Sequence, residues 1–202
     1  AAMHNMGYMH ASVQLDTRTK GKKITATYTI TPGQAYFIDN VHYIIDDDSI
    51  ANLLKIEQPN SKFHIAKGTK FSVDKLDNIR KRISDYLLNS GFYRFNKDFI
   101  QFTVDSAANS QLLDVTMHLY PYRAYNDAPA VFHPRYKVGR IDYHTDNANG
   151  YLRRKIMLNN TALVKNDFFS EQKLQRTYNN FAKLGAVRYL SLIHISEPTR
   201  LR

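Results

Sequence analysis

The chain has 202 residues, 43% hydrophobic and 23% charged, a globular composition that suits one domain or a few very small ones. It contains no cysteine, which excludes disulfides, cysteine-ligated zinc and thiol catalysis. The net charge is +10, but the basic residues are scattered, the densest groups being Lys20, Lys22 and Lys23 and then Arg80, Lys81 and Arg82. They read as solvated surface, because no basic stripe with interleaved stacking aromatics is present.

No apolar run reaches the roughly 18 residues that cross a bilayer as a helix. The first residues, AAMHNMGYMHASV, lack the basic start and apolar centre of a signal peptide. They also do not begin with Met, so the expectation is an internal piece of a longer protein.

From the start, Gly7-Tyr8 leads into a strand, then the turn RTKGKK, then ITATYTI, where Ile24, Ala26, Tyr28 and Ile30 alternate as a half-buried strand does. A short junction, TPGQA at Thr31 to Ala35, precedes AYFIDNVHY, a second strand pattern. DDDS, Asp46 to Ser49, sits where a helix begins and reads as its N-cap rather than as a metal site. KFSVDKL, Lys70 to Leu76, opens an amphipathic helix with Ser72 as N-cap and Asp74 in the first turn. Leu76, Ile79, Ile83 and Leu87 form its core-facing stripe.

That helix stops at Gly91, where a left-handed residue is needed. Phe92, Tyr93 and Phe95 follow at once and can fold back on the helix end. The strand FIQFTVD, Phe99 to Asp105, comes next, then a turn, then LLDVTMHL, with Leu113, Val115, Met117 and Leu119 on one face. A stretch rich in Pro, Ala and small polar residues, Pro121 to Arg135, reads as a hinge.

The chain then repeats itself. RYKVGRIDY, Arg135 to Tyr143, echoes AYFIDNVHY, so that Tyr136, Val138, Ile141 and Tyr143 fall opposite Tyr36, Ile38, Val41 and Tyr43. FFSEQKL, Phe168 to Leu174, echoes KFSVDKL, with Ser170 as N-cap and Glu171 beside it. Gly185 closes this last helix about one turn early, and Ala186 stands where an aromatic follows elsewhere. The grammar is a β-α-α-β-β module, present as the back third of one copy (1–33), a whole copy (34–122), a linker (123–135) and the front of another (136–189). Leu190 to Arg200, LSLIHISEPTR, resembles an in-frame translation of a sequencing adapter, so residues 190–202 are expected to be a non-native tail, and His194 and Ser196 carry no chemistry.

Tandem β-α-α-β-β units with Gly-aromatic between second helix and second strand resemble the POTRA domain, an α+β fold with a three-stranded sheet and two helices on one face. The likeness is carried by residues 24–43, KGTKFSVDKLDNIRKRISDYLLNSGFYRFNKDFIQFTVD, VTMHLYPYR and HPRYKVGRIDYHTD, and is nearest to the periplasmic arm of the BamA/TamA family in its Bacteroidetes-like form. It implies a periplasmic arm ahead of a C-terminal outer-membrane β-barrel that this sequence lacks. Its partners would be unfolded outer-membrane or translocated proteins and accessory assembly factors, without nucleic acid. The resemblance makes the module's second strand an edge. Its backbone, through Phe99, Ile100, Gln101, Phe102, Thr103, Val104 and Asp105, is then the candidate client contact by strand addition. The bland reading of the same residues is core. Gly7, Gly91 and Gly185 have structural roles.

No cofactor motif, metal-ligand spacing or nucleophile elbow occurs, and HTD at His144 to Asp146 reads as a polar loop, so no enzyme is expected. Two other readings stay open. One is a POTRA scaffold of a two-partner secretion pore or a division protein, and the other is a basic RNA-binding α+β repeat.

Overall fold

A computed structural model describes residues 2–106, 110–125, 127–143 and 153–184. The chain divides into two compact units, Ala1–Lys81 with Ile100–Tyr120, and Arg82–Phe99 with Pro121–Arg202.

The first unit opens with one helical turn, α1 (Ala2–Asn5), and a hairpin of β1 (Ser12–Lys20) and β2 (Lys23–Thr31). Lys20 pairs with Lys23 across a two-residue turn in which Gly21 has φ +60°. Such turns match the right-handed twist of the strands only with positive φ. Every residue of both strands is exposed, so here the sequence alternation does not become burial.

The unit's main sheet holds β3 (Phe37–Ile45), β4 (Ile100–Ser106) and β5 (Leu112–Leu119), in the order β3-β5-β4. β5 runs parallel to β3 and antiparallel to β4. The parallel pair needs a long crossover, which contains α2 (Asp48–Leu54) and α3 (Val73–Leu88). Leu113, Val115, Met117 and Leu119 are buried, as their alternation requires. Leu113 and Val115 share one core cluster with Ile38, Ile65, Phe71 and Leu76, onto which Val41, Tyr43, Ile79 and Phe102 pack. α2 starts as expected: Asp47 accepts from the N–H groups of Ser49 (3.0 Å) and Ile50 (3.3 Å). The α+β class and the β-α-α-β-β order of the complete copy are therefore those anticipated.

The second unit takes over α3 at Arg82. Ile83, Leu87, Phe92 and Phe95 are buried, whereas Tyr93 stays exposed. A 3-10 turn covers Lys97–Phe99, so Phe99 precedes the strand rather than starting it. Within the stretch expected to be a hinge, Tyr122 and Val131 form an isolated antiparallel bridge. Tyr122 and Val131 exchange both backbone hydrogen bonds at 3.0 Å, and Arg123 donates to the Ala128 carbonyl at 2.8 Å. His133 is buried against the rings of Phe95 and Phe99. α4 (Arg154–Asn160) and α5 (Glu171–Ala182) complete the unit. α5 has 12 residues to the 16 of α3, the shortening expected.

Arg135 to Tyr143 departs from expectation. Among the described residues it joins no ladder and makes only the bridge Lys137 to Phe168. A strand exists only through its neighbour, and among the described residues no strand lies beside it. Gly185, Ala186, His144 to Asp146 and the tail from residue 190 lie outside the described residues.

Candidate polypeptide-binding edges and the glycine joints

Among the described residues β4 is an edge of its sheet, paired only to β5. Its side chains grade from core to solvent: Ile100 is fully buried, Phe102 half-buried, and Gln101, Thr103, Val104 and Asp105 exposed. Ile100 lies in the core and Phe102 packs against the core cluster. What β4 offers a partner is backbone, a row of N–H and C=O groups on the side away from β5.

The opposite edge, β3, was not singled out by the sequence reading. Its beginning is closed by the chain itself. Ile38 donates to the Thr69 carbonyl at 2.9 Å and accepts from Gly68 at 2.7 Å, while Phe71 donates to the Tyr36 carbonyl at 2.9 Å. Beyond a bulge between Ile38 and Asn40, a shallow open groove of about 600 Å³ lies along Val41 to Ile44, walled by Glu57, His64 and Thr116. The Tyr43 hydroxyl accepts from the Ile65 N–H at 3.0 Å, and its pKa is raised chiefly by burial. His64 Nδ1 donates to the Ile56 carbonyl at 3.1 Å, which leaves Nε2 as the acceptor in the neutral ring. Among the described residues no three histidines or carboxylates are placed to hold a metal. The groove offers hydrogen bonds and apolar contact, which suit an extended peptide. Nothing in the sequence marks it, because it depends on which strand lies beside β5.

The structural glycines make one joint twice. The Gly7 carbonyl accepts from the Tyr36 N–H at 2.9 Å, and the Gly91 carbonyl from the Tyr136 N–H at 2.7 Å. Tyr36 in turn accepts from Phe71, and Tyr136 from Phe169 at 3.0 Å. The glycines have φ +84° and +103°. A Cβ on Gly7 would lie 2.5 Å from the Phe71 carbonyl oxygen, and one on Gly91 about 3 Å from Arg135, Phe168 and Tyr136. Conformation and close approach both demand glycine.

Two residues at the second joint went unread in the sequence. Arg135 lies 3.5 Å over the Phe168 ring and donates from Nε to the Ser90 carbonyl at 2.7 Å, while burial lowers its pKa. Asn89 Oδ1 accepts from the Ser170 hydroxyl at 2.7 Å and the Gln172 N–H at 2.8 Å, so it caps α5 together with Ser170. A signal for Asn89 existed: Asn5-Met6-Gly7-Tyr8 and Asn89-Ser90-Gly91-Phe92 share one pattern.

No family model matches the chain, and no curated protein matches it. Among solved structures it is similar to Haemophilus influenzae BamA POTRA3-5, at 14% identity, over 93% of this chain and 66% of that one, with a TM-score of 0.49. The chain thus spans less than two thirds of that structure. It is also similar to BamA from Haemophilus ducreyi lacking POTRA domains 1-3, at 12% identity over 57% of this chain and 20% of that one, TM-score 0.36. A third is POTRA1-3 of the periplasmic domain of Omp85 from Anabaena, at 9% identity over 90% and 67%, TM-score 0.27.

Proposed function

We propose that the chain is part of the periplasmic POTRA arm of an outer-membrane assembly or translocation protein. In this reading it is a non-enzymatic scaffold that binds unfolded client polypeptides and accessory factors by strand addition. Residues 34–122 are its complete module, flanked by parts of two others at 1–33 and 136–189. The observation that carries the reading is that, among the described residues, β4 is an unpaired edge of a three-stranded β-α-α-β-β sheet. An extended chain laid beside it satisfies backbone groups on both partners without needing a particular side chain, which suits clients of many sequences.

A second docking edge, β3, is favoured by one observation, the groove along Val41 to Ile44. Titrating the isotopically labelled protein with an unfolded peptide of alternating outer-membrane-strand sequence tests both. The expected result is movement of the Phe102 to Val104 amides. In a strand, alternate N–H groups face outward, so of Thr103 and Val104 one points away from β5. Proline at that position is expected to weaken binding about fivefold, one hydrogen bond of about 1 kcal/mol. Movement confined to His42 to Ile44 would transfer the function to β3. No movement on either edge, or binding that collapses with salt and prefers RNA, would reject the reading.

A further inference from the structure

The groove along β3 carries a side-chain chemistry that a bare strand edge does not need. The start of β3 is sealed: Phe37 bridges to Lys70, and Lys67 pairs with Asp39 at 2.8 Å, so that these two charges offset one another. From Val41 onward the groove opens. On the β3 side, Val41 and Tyr43 pack toward the core cluster, while His42 and Ile44 are exposed. The other wall is Glu57 and His64, from the crossover between α2 and α3.

His64 Nδ1 lies 3.1 Å from the Ile56 carbonyl. A carbonyl can only accept, so Nδ1 keeps its proton in both charge states of the ring, and protons come and go at Nε2. Neutral, Nε2 accepts a hydrogen bond; protonated, it donates one and the ring carries charge. His42 lines the same groove and changes in the same way, since imidazole is the side chain that titrates between pH 5 and 8. The groups that meet His64 are Tyr43 and His42 from β3 and Glu57 from the crossover. Lys62, two residues before it, lies over the Phe63 ring at 5.0 Å.

Glu57 is exposed, and among the described residues lining the groove it alone is charged while the imidazoles are neutral. Burial chiefly, and the Glu57 charge in addition, raise the Tyr43 pKa, which places that carboxylate near the hydroxyl. The lining thus has a net charge of −1 with both histidines neutral and +1 with both protonated. Its apolar contacts, from Val41 and Ile44, do not change with pH.

We infer that the β3 groove selects an extended peptide bearing lysine or arginine among apolar residues, and that protonation of His42 and His64 reverses this preference in favour of an acidic side chain. In the first state the peptide's cation lies by Glu57, with His64 Nε2 as an acceptor, and its apolar residues meet Val41 and Ile44. In the second state the imidazolium groups repel that cation and offer charged donors to a carboxylate. The inference rests on the reading of β3 as a docking edge and names what that edge takes.

The test titrates the isotopically labelled chain with two short peptides of alternating apolar and polar residues, identical except for lysine or glutamate at the central polar positions. Binding is followed at pH about 8 and about 5, the limits of imidazole titration, through the His42 to Ile44 amides and the His64 ring. The lysine peptide is expected to bind about fivefold tighter than the glutamate peptide at the higher pH, the scale of one exposed ion pair, and about fivefold weaker at the lower. Glu57→Gln is expected to abolish the preference at the higher pH. His42→Gln with His64→Gln is expected to abolish the reversal, and the glutamine amide can still donate to Ile56. If that double variant does not fold, the two peptides on the parent chain still decide. Equal affinities at both pH values, or the same order at both, overturn the inference and leave β3 as a docking edge. Movement of the Phe102 to Val104 amides alone, or of neither edge, removes β3 as a docking edge and the inference with it.

Discussion

The Tyr136 N–H donates to the Gly91 carbonyl at 2.7 Å, and the corresponding pair, Tyr36 and Gly7, makes the same bond at 2.9 Å. In both cases the tyrosine carbonyl then accepts from a phenylalanine directly before a serine N-cap. Three backbone pieces distant in sequence are thus tied at one residue.

Gly91 is predicted to tolerate no side chain. Alanine there must hold φ near +103° and press on Arg135, Phe168 and the Tyr136 carbonyl. Strain of this kind costs on the order of 1–3 kcal/mol. Gly68 is the control, since its φ is +77° but a Cβ would meet open space. Gly68→Ala is expected to cost about 1 kcal/mol. Urea unfolding of both variants checks the difference. Equal losses would mean that close approach at Gly91 contributes nothing.

Arg135→Lys is not expected to be conservative. An ammonium keeps the charge but loses the planar stack on Phe168 and the fixed Nε–H directed at Ser90. A loss of about 1 kcal/mol is predicted, together with movement of the Ser90 and Phe168 resonances. A variant as stable as the parent would assign the site's energy to apolar packing alone.

Asn89→Ala removes the acceptor shared by the Ser170 hydroxyl and the Gln172 N–H. The predicted cost is about 1 kcal/mol, the size of a lost helix cap, seen as faster amide exchange at the start of α5. Asn89→Asp is expected to restore the cap, because a carboxylate accepts both bonds and faces the positive end of the helix dipole.

Asp77 sets a pH dependence. Lys81 foremost, and then Arg80, hydrogen-bond its carboxylate and hold its pKa down to about 2, from an ordinary value of 3.8. A carboxylate with a depressed folded pKa stabilises above its unfolded value, and that contribution disappears as pH falls from there toward 2. The Asp77 side chain is 30% exposed and its partners reach solvent, so the effect on melting is small and is screened by salt. Titrating the Asp77 carboxyl carbon by NMR should give a midpoint near 2 at low salt. A midpoint near 3.8 would show that neither ion pair persists in solution.

Local grammar settled much of this protein in advance. Ser170 and Asp47 cap the helices where their residue types demanded it, Gly91 ends α3, and the β5 alternation of Leu113, Val115, Met117 and Leu119 is its burial pattern. These features depend on residues within a turn or two of one another, so periodicity and capping chemistry suffice to place them. Pairing across the chain is different. The same alternation in Ile24, Tyr28 and Ile30 leaves those residues exposed, and the apolar spacing of Tyr136 to Tyr143 produces no strand, because burial and ladders both require a partner that local pattern does not name. The tertiary structure placed β5 between β3 and β4 and so made β3 the second edge among the described residues, with the groove beside Val41 to Ile44. It also brought Arg135 onto Phe168 and Asn89 to the start of α5, contacts between residues dozens of positions apart, fixed by packing rather than by sequence spacing.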